Sequence, residues 1–105
     1  MVDFDYKQES LDALAQMDEA TKKELLDWCK TNFDTVKNIN KQTMTSYGLK
    51  HLFEKDERTE SSYVSNEEFR GAMITSGFKH TNERNMHFNI SKKSENELRK
   101  RIFGY

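Results

Sequence analysis

The side chains able to do chemistry in this chain are few. The histidines are His51, His80 and His87, and the single thiol is Cys29. No histidine falls in an HExxH or HxxxH spacing, and one cysteine cannot build a CxxC pair. His80 and His87 fall on either side of an expected turn and together supply fewer ligands than a structural zinc site needs. Cys29 lies on an apolar helical stripe, where a thiol is buried and inert. Gly48, Gly71, Gly77 and Gly104 are isolated, so no glycine-rich phosphate loop is present. The pattern proposes no catalytic residue, no metal and no cofactor, and an enzyme is not expected.

What remains is charge. Residues 1–35 carry nine acids and four bases, residues 36–105 thirteen bases and nine acids, for a net charge of −1. Asp12, Asp18, Glu19, Glu24, Asp27 and Asp34 are candidate phosphate mimics, because a row of carboxylates on helices suits a basic nucleic-acid channel. Lys50, Arg70, Lys79, His80, Arg84, His87, Lys92 and Lys93 are candidate contacts to nucleic acid or a nucleoprotein. Such contacts position a protein on a phosphate backbone without reading bases. Solvated faces are the plainer account of both sets.

These residues must be positioned by elements legible in the periodicity. Ser10 is read as the cap of a short helix carrying Leu11, Leu14 and Met17. Asp18 is read as the cap of a longer one, over 19–39, with Leu25, Cys29, Phe33 and Val36 on its stripe beside Trp28. Thr45 or Ser46 caps a helix burying Leu49, Leu52 and Phe53. Tyr63 and Val64 suit a very short strand. Ser65 and Glu68 form a capping box ahead of a helix that buries Phe69, Ala72 and Met73 and stops at Gly77. On a wheel centred on Phe69 and Met73, Glu67, Arg70, Gly71, Ile74 and Thr75 face outward. That face is a poor base reader, and its Ile74 is a candidate protein or self contact. Met86, Phe88 and Ile90 alternate with His87 and Asn89 as in a half-buried strand, either paired with 78–80 as a hairpin or packed on Tyr63 and Val64. Ser94 and Glu97 suggest a capping box for a last helix held by Leu98, Ile102 and Phe103.

The expected fold is therefore mainly α with a small β-ribbon (α+β). It has four to five helices and a helix-turn-helix or winged-helix-like C-terminal part. The 105 residues suit one domain, with an acidic helical part over 1–44 and a helix–helix–ribbon part over 45–105. No apolar run spans a bilayer, the opening MVDFDYKQES has no signal-peptide pattern, and one cysteine fits a reducing compartment, so a cytoplasmic protein is expected.

The stretches TSYGLKHLFEKD, YVSNEEFRGAMITSGF and NMHFNIS resemble a group of small proteins of Gram-positive phages and other mobile elements. The shared pattern runs through Gly48, Leu49, Lys50, His51 and Phe53, then Tyr63, Val64, Asn66, Phe69, Ala72, Met73, Gly77 and Phe78, and closes on Asn85, Phe88 and Ile90. It covers about residues 45–91. The resemblance implies an accessory protein of a phage or plasmid in a bacterial host. Proteins of that setting without enzyme motifs include anti-CRISPR inhibitors of type II RNA-guided nucleases. The expected partner is then a host RNA-guided nuclease complex, with DNA or RNA as the alternative, and the chain a monomer or homodimer.

Overall fold

The computed structural model describes residues 4–60 and 63–104. Five helices follow in order: α1 (Tyr6–Ala15), α2 (Glu19–Asn32), α3 (Ser46–Lys55), α4 (Asn66–Thr75) and α5 (Lys92–Phe103). Among the described residues there is no strand. Sheet-like pairing is confined to two isolated antiparallel bridges, Thr35 with Ile90 and His80 with Phe88. The expected short strand at Tyr63 and Val64 is absent: Val64 is fully buried, while Tyr63 stands in solvent.

Capping chemistry sets the helix ends. Asp5, not Ser10, starts α1 by accepting the amide hydrogen of Gln8 at 2.9 Å. Aspartate caps as well as serine. The earlier start places Ser10 mid-helix, buried, its hydroxyl donating to the Tyr6 carbonyl at 2.6 Å. Asp18 caps α2 as expected, accepting from Thr21 N at 2.9 Å. α2 ends at Asn32, seven residues before the expected stop, because Phe33 turns extended (φ −123°, ψ 129°). Phe33 stays buried, but Val36 leaves the stripe and is exposed. Thr45 caps α3 without a side-chain bond, while the Ser46 hydroxyl accepts from Met86 N at 3.0 Å.

The Ser65–Glu68 capping box of α4 is complete, with both reciprocal bonds formed, at 3.0 and 2.8 Å. At its other end Gly77 has φ +96°, and Phe78 N and Gly77 N donate to the carbonyls of Met73 and Ile74. This is the Schellman pattern, and the buried Phe78 ring completes it. α5 begins earlier than expected. Ser91 caps it by accepting from Ser94 N at 3.0 Å, so Ser94 and Glu95 lie inside the first turn and are buried, and no Ser94–Glu97 box forms. Leu98 is buried and Ile102 packs on the core, whereas Phe103 lies on the surface near Lys55.

The core gathers around Trp28, which meets Phe33, Phe53 and Phe69 edge-on at 5.5, 5.4 and 6.1 Å. Phe53, Phe69, Phe88, Leu25, Leu49 and Met73 are fully buried, each worth about 1.5–3 kcal/mol of apolar transfer. Trp28 is too polar to be buried without a partner, and its indole N–H donates to Asp56 Oδ2 at 2.8 Å. Arg101 completes the group. Its two guanidinium nitrogens meet the two Asp56 oxygens at 2.9 Å, and Nη2 also meets Asn32 Oδ1 at 3.0 Å. One carboxylate thus ties α2 and α5 to the end of α3.

α4 is the hub, packed against α1, α2 and α3. Its contact with α1 is close: a Cβ added at Gly71 would sit 2.3 Å from the Ser10 carbonyl oxygen and 2.8 Å from Leu14 Cβ. Only glycine lets the two backbones approach this far.

Residues 78–91 do not form the expected ribbon, although the alternation is real, since Met86, Phe88 and Ile90 are all fully buried. The segment lies between two partners. On one side Val36 N, Asn40 N and Ser46 N donate to the carbonyls of Asn89, Phe88 and Met86, and Ser91 N donates to Asp34 O. On the other, Thr81 N reaches His87 O, and Asn89 N reaches Lys79 O. Asn89, read as outward, is buried. Its amide accepts from Lys79 N at 2.8 Å and donates to Val36 O at 3.0 Å. A side chain thus supplies bonds that a main-chain ladder would otherwise make, which interrupts the pairing.

Candidate functional site

The helices expose charge of both signs, Asp12, Glu19 and Asp27 but also Lys23, Lys30, Lys55, Lys93 and Lys100, while Lys50, Arg70 and Glu95 are buried. Glu19 and Asp27 project from α2, each pairing with a lysine of the same helix, Lys22 at 3.3 Å and Lys23 at 3.0 Å. Such exposed pairs bind their partners weakly. Asp12 is exposed on α1 and accepts from Gln8 Nε2 at 2.9 Å. Asp34 is exposed just past α2. Asp18 is exposed but spent on the cap, and its bond from the Thr21 amide holds its carboxyl below the ordinary range. Glu24 turns inward far enough to accept the backbone N–H of Glu60 at 2.8 Å.

Glu24, Asp27 and Glu60 then share an open cleft of about 740 Å³ with Ala20, Thr21, Lys23 and the ring of Tyr63. Three carboxylates face one ammonium there, and that ammonium is already turned to Asp27.

The candidate bases do not assemble into a phosphate-binding row. Arg70, expected to face outward, is fully buried. Its Nε donates to Ser10 Oγ at 2.8 Å, its Nη1 to the Arg84 carbonyl at 2.7 Å and its Nη2 to the Glu9 carboxylate, with the Tyr6 ring over the guanidinium. The wheel failed because α4 is covered on both sides: the face opposite Phe69 and Met73 receives α1. For the same reason Ile74 is half-buried against the core rather than a free contact.

Lys50 is also buried, held to Glu54 at 2.9 Å between the rings of Tyr47 and Tyr63. Lys79 is exposed but donates to the Lys37 carbonyl at 2.7 Å, and Lys92 reaches Gln42 O at 3.1 Å and the buried Glu95 at 2.9 Å. His80 bonds the neighbouring Thr81 carbonyl, and His87 sits half-buried near Glu83 at 3.7 Å. Arg84 and Lys93 have exposed side chains, on separate segments.

Cys29 is buried, and desolvation pushes its thiol far up. Among the described residues no group of three His, Cys, Asp or Glu is gathered as a metal site, and no helix is long and apolar enough to cross a membrane.

The sequence pattern assigned Tyr47 no role and placed Tyr63 only in a short strand and in the shared pattern, so neither stood out as a candidate contact. Tyr47 was findable, since it lies three residues before Lys50 and four before His51 on α3, the spacing of helical neighbours. Its ring meets His51 edge-on at 4.6 Å. Tyr63 comes to Lys50 through the loop between α3 and α4, which no periodicity describes. Glu54 was missed as well: it accepts from Lys50, His51 and Val64 N and so fixes this corner.

Comparison of the chain with protein-family models, with curated proteins and with solved structures found no match.

Proposed function

We propose that this chain is a counter-defence protein of a phage or mobile element, an anti-CRISPR-type stoichiometric inhibitor of a type II RNA-guided nuclease in the cytoplasm of a bacterial host. The observation that carries the reading is the burial of two candidate cations together with an acidic cleft beside α2. The two cations best placed to serve α3 and α4 as nucleic-acid contacts, Lys50 and Arg70, are folded into the frame. Glu24 and Asp27 of α2, with Glu60, line an open cleft instead, against the single cation of Lys23. An acidic face of this kind complements the basic channel of a nucleic-acid-handling machine, speeding encounter and making it sensitive to salt.

The test is target cleavage by a purified type II effector with guide RNA, with the chain added at increasing ratio. Cleavage should stop near one chain per effector, and E19K/D27K should relieve the block while leaving the fold intact. Undiminished inhibition by that variant would sink the acidic-mimic mechanism.

A winged-helix-like DNA-binding accessory is the second reading. It is favoured by two exposed bases behind α4, Lys79 ahead of the bend over 82–85 and Arg84 within it, where a wing would follow a recognition helix. It expects duplex binding that weakens steeply with salt and is lost in K79A/R84A. No binding to duplex at low salt removes it.

A further inference from the structure

We infer that the face carrying Tyr47 and Tyr63 is a docking surface for an arginine-rich protein segment, with the two rings as its anchors. The inference deepens the inhibitor reading and takes its biological setting from it.

The observation is one of contrast. Trp28, Phe33, Phe53, Phe69, Phe78 and Phe88 are all buried, whereas Tyr63 is 67% and Tyr47 52% exposed; Phe4 and Phe103 are also exposed but lie apart from this corner, Phe4 against Tyr6 and Phe103 against Lys55. Both rings nonetheless touch one fixed point, the Lys50 ammonium, which lies 4.6 Å from the Tyr63 centroid and 5.7 Å from that of Tyr47. Lys50 is anchored to Glu54, and the same carboxylate accepts the backbone N–H of Val64 at 3.2 Å, beside Tyr63. Tyr47 is braced a second time by the His51 ring. Exposed rings held in place lose little freedom on binding, and tyrosine is among the residues that anchor protein interfaces.

Charge selects the occupant. Tyr63 forms a wall of the cleft in which Glu24, Asp27 and Glu60 outnumber the one cation, Lys23, while Tyr47 borders a second hollow with Glu67 and Arg84. A guanidinium can lie flat on a phenol ring and offer a carboxylate two parallel bonds in its own plane, whereas an ammonium, as Lys50 does with Tyr63 and Glu54, makes only point contacts. A single-stranded nucleic acid could stack on the same rings, but its phosphates would then lie against those carboxylates.

The experiment titrates the isotope-labelled full chain with an oligoarginine peptide, following amide resonances, with oligolysine and a single-stranded oligonucleotide as comparisons. Oligoarginine should move Tyr47, Tyr63 and the cleft residues. Y63A and Y47A should each weaken it about tenfold, while Y63F and Y47F bind nearly as the parent does. Both alanine changes are at exposed positions, and an unchanged thermal melt confirms folding. Tyrosine-independent binding overturns the proposal, as does equal binding of oligolysine, or displacement of the same resonances by the oligonucleotide.

The two readings fail separately. A parent chain that inhibits the nuclease while the double alanine variant inhibits equally overturns this inference alone. A chain that does not inhibit, yet binds oligoarginine through its tyrosines, overturns the inhibitor reading and supports this one.

Discussion

Arg70 Nε donates to the hydroxyl of Ser10 at 2.8 Å across sixty residues of chain. Through this bond and the neighbouring Glu9 pair, α1 lies over the face of α4 that a groove-reading helix would leave open. The burial of the two partners is unequal: the Arg70 side chain is fully enclosed, and that of Glu9 is 39% exposed.

That inequality sets the order of two substitutions. Glu9→Ala leaves a guanidinium enclosed with only neutral partners, at a cost of about 2–4 kcal/mol. Arg70→Met frees a carboxylate that water can reach and fills the site with an apolar chain, at about 1–2 kcal/mol. Urea denaturation at neutral pH checks the order, and a larger loss for Arg70→Met would contradict it.

Gly71→Ala should also destabilise, although alanine favours helix by about 1 kcal/mol over glycine. The new methyl meets a carbonyl oxygen and a Cβ of α1, neither of which can swing aside as a flexible chain end would. Overpacking of this kind costs about 1–3 kcal/mol, so the expected net change is a lower thermal midpoint. Residues of α1 should also lose hydrogen-exchange protection before those of α2. A raised midpoint would show that α1 rides further from α4 than described.

Asp56 makes stability depend on acid. Burial raises its pKa, but the bonds from Arg101, the Trp28 indole and the Arg58 backbone, with the Arg101 charge, outweigh it and hold the carboxyl at about 2, from 3.8. The folded value lies below the unfolded one, so the contribution is full above pH ~4 and is lost as pH falls towards 2, about 2 kcal/mol in all. Asp56→Asn should be less stable at neutral pH and should lose less on acidification over that window. Parallel pH curves for the two proteins would assign the acid sensitivity elsewhere.

Local chemistry was the legible part of the fold. The Asp18 cap, the Ser65–Glu68 box, the Gly77 stop and the stripes through Leu25, Cys29, Leu49 and Phe69 each depend on near neighbours in sequence, and each stands in the structure. The failures depend on distant ones. Arg70 reads as exposed until α1 covers it from sixty residues away. Val36 reads as buried until residues 34–40 leave the helix to bond 88–91. Asn89 reads as a solvent-facing strand residue until its amide bridges Lys79 and Val36. The site divides in the same way: the acids of α2 follow from helical spacing, whereas the meeting of Tyr63 with Lys50 depends on how a loop closes.

The bonds linking 34–46 to 86–91 also bear on how fast the chain can fold. Residues 33–45 have no helix of their own, and Val36, Asn40 and Ser46 find acceptors only on a segment made some forty to fifty residues later. The helices can form early from local contacts, but this seam must wait for the chain to return. A protein this rich in helix should therefore fold more slowly than a bundle of local hairpins, at a rate set by the closing of one non-local seam.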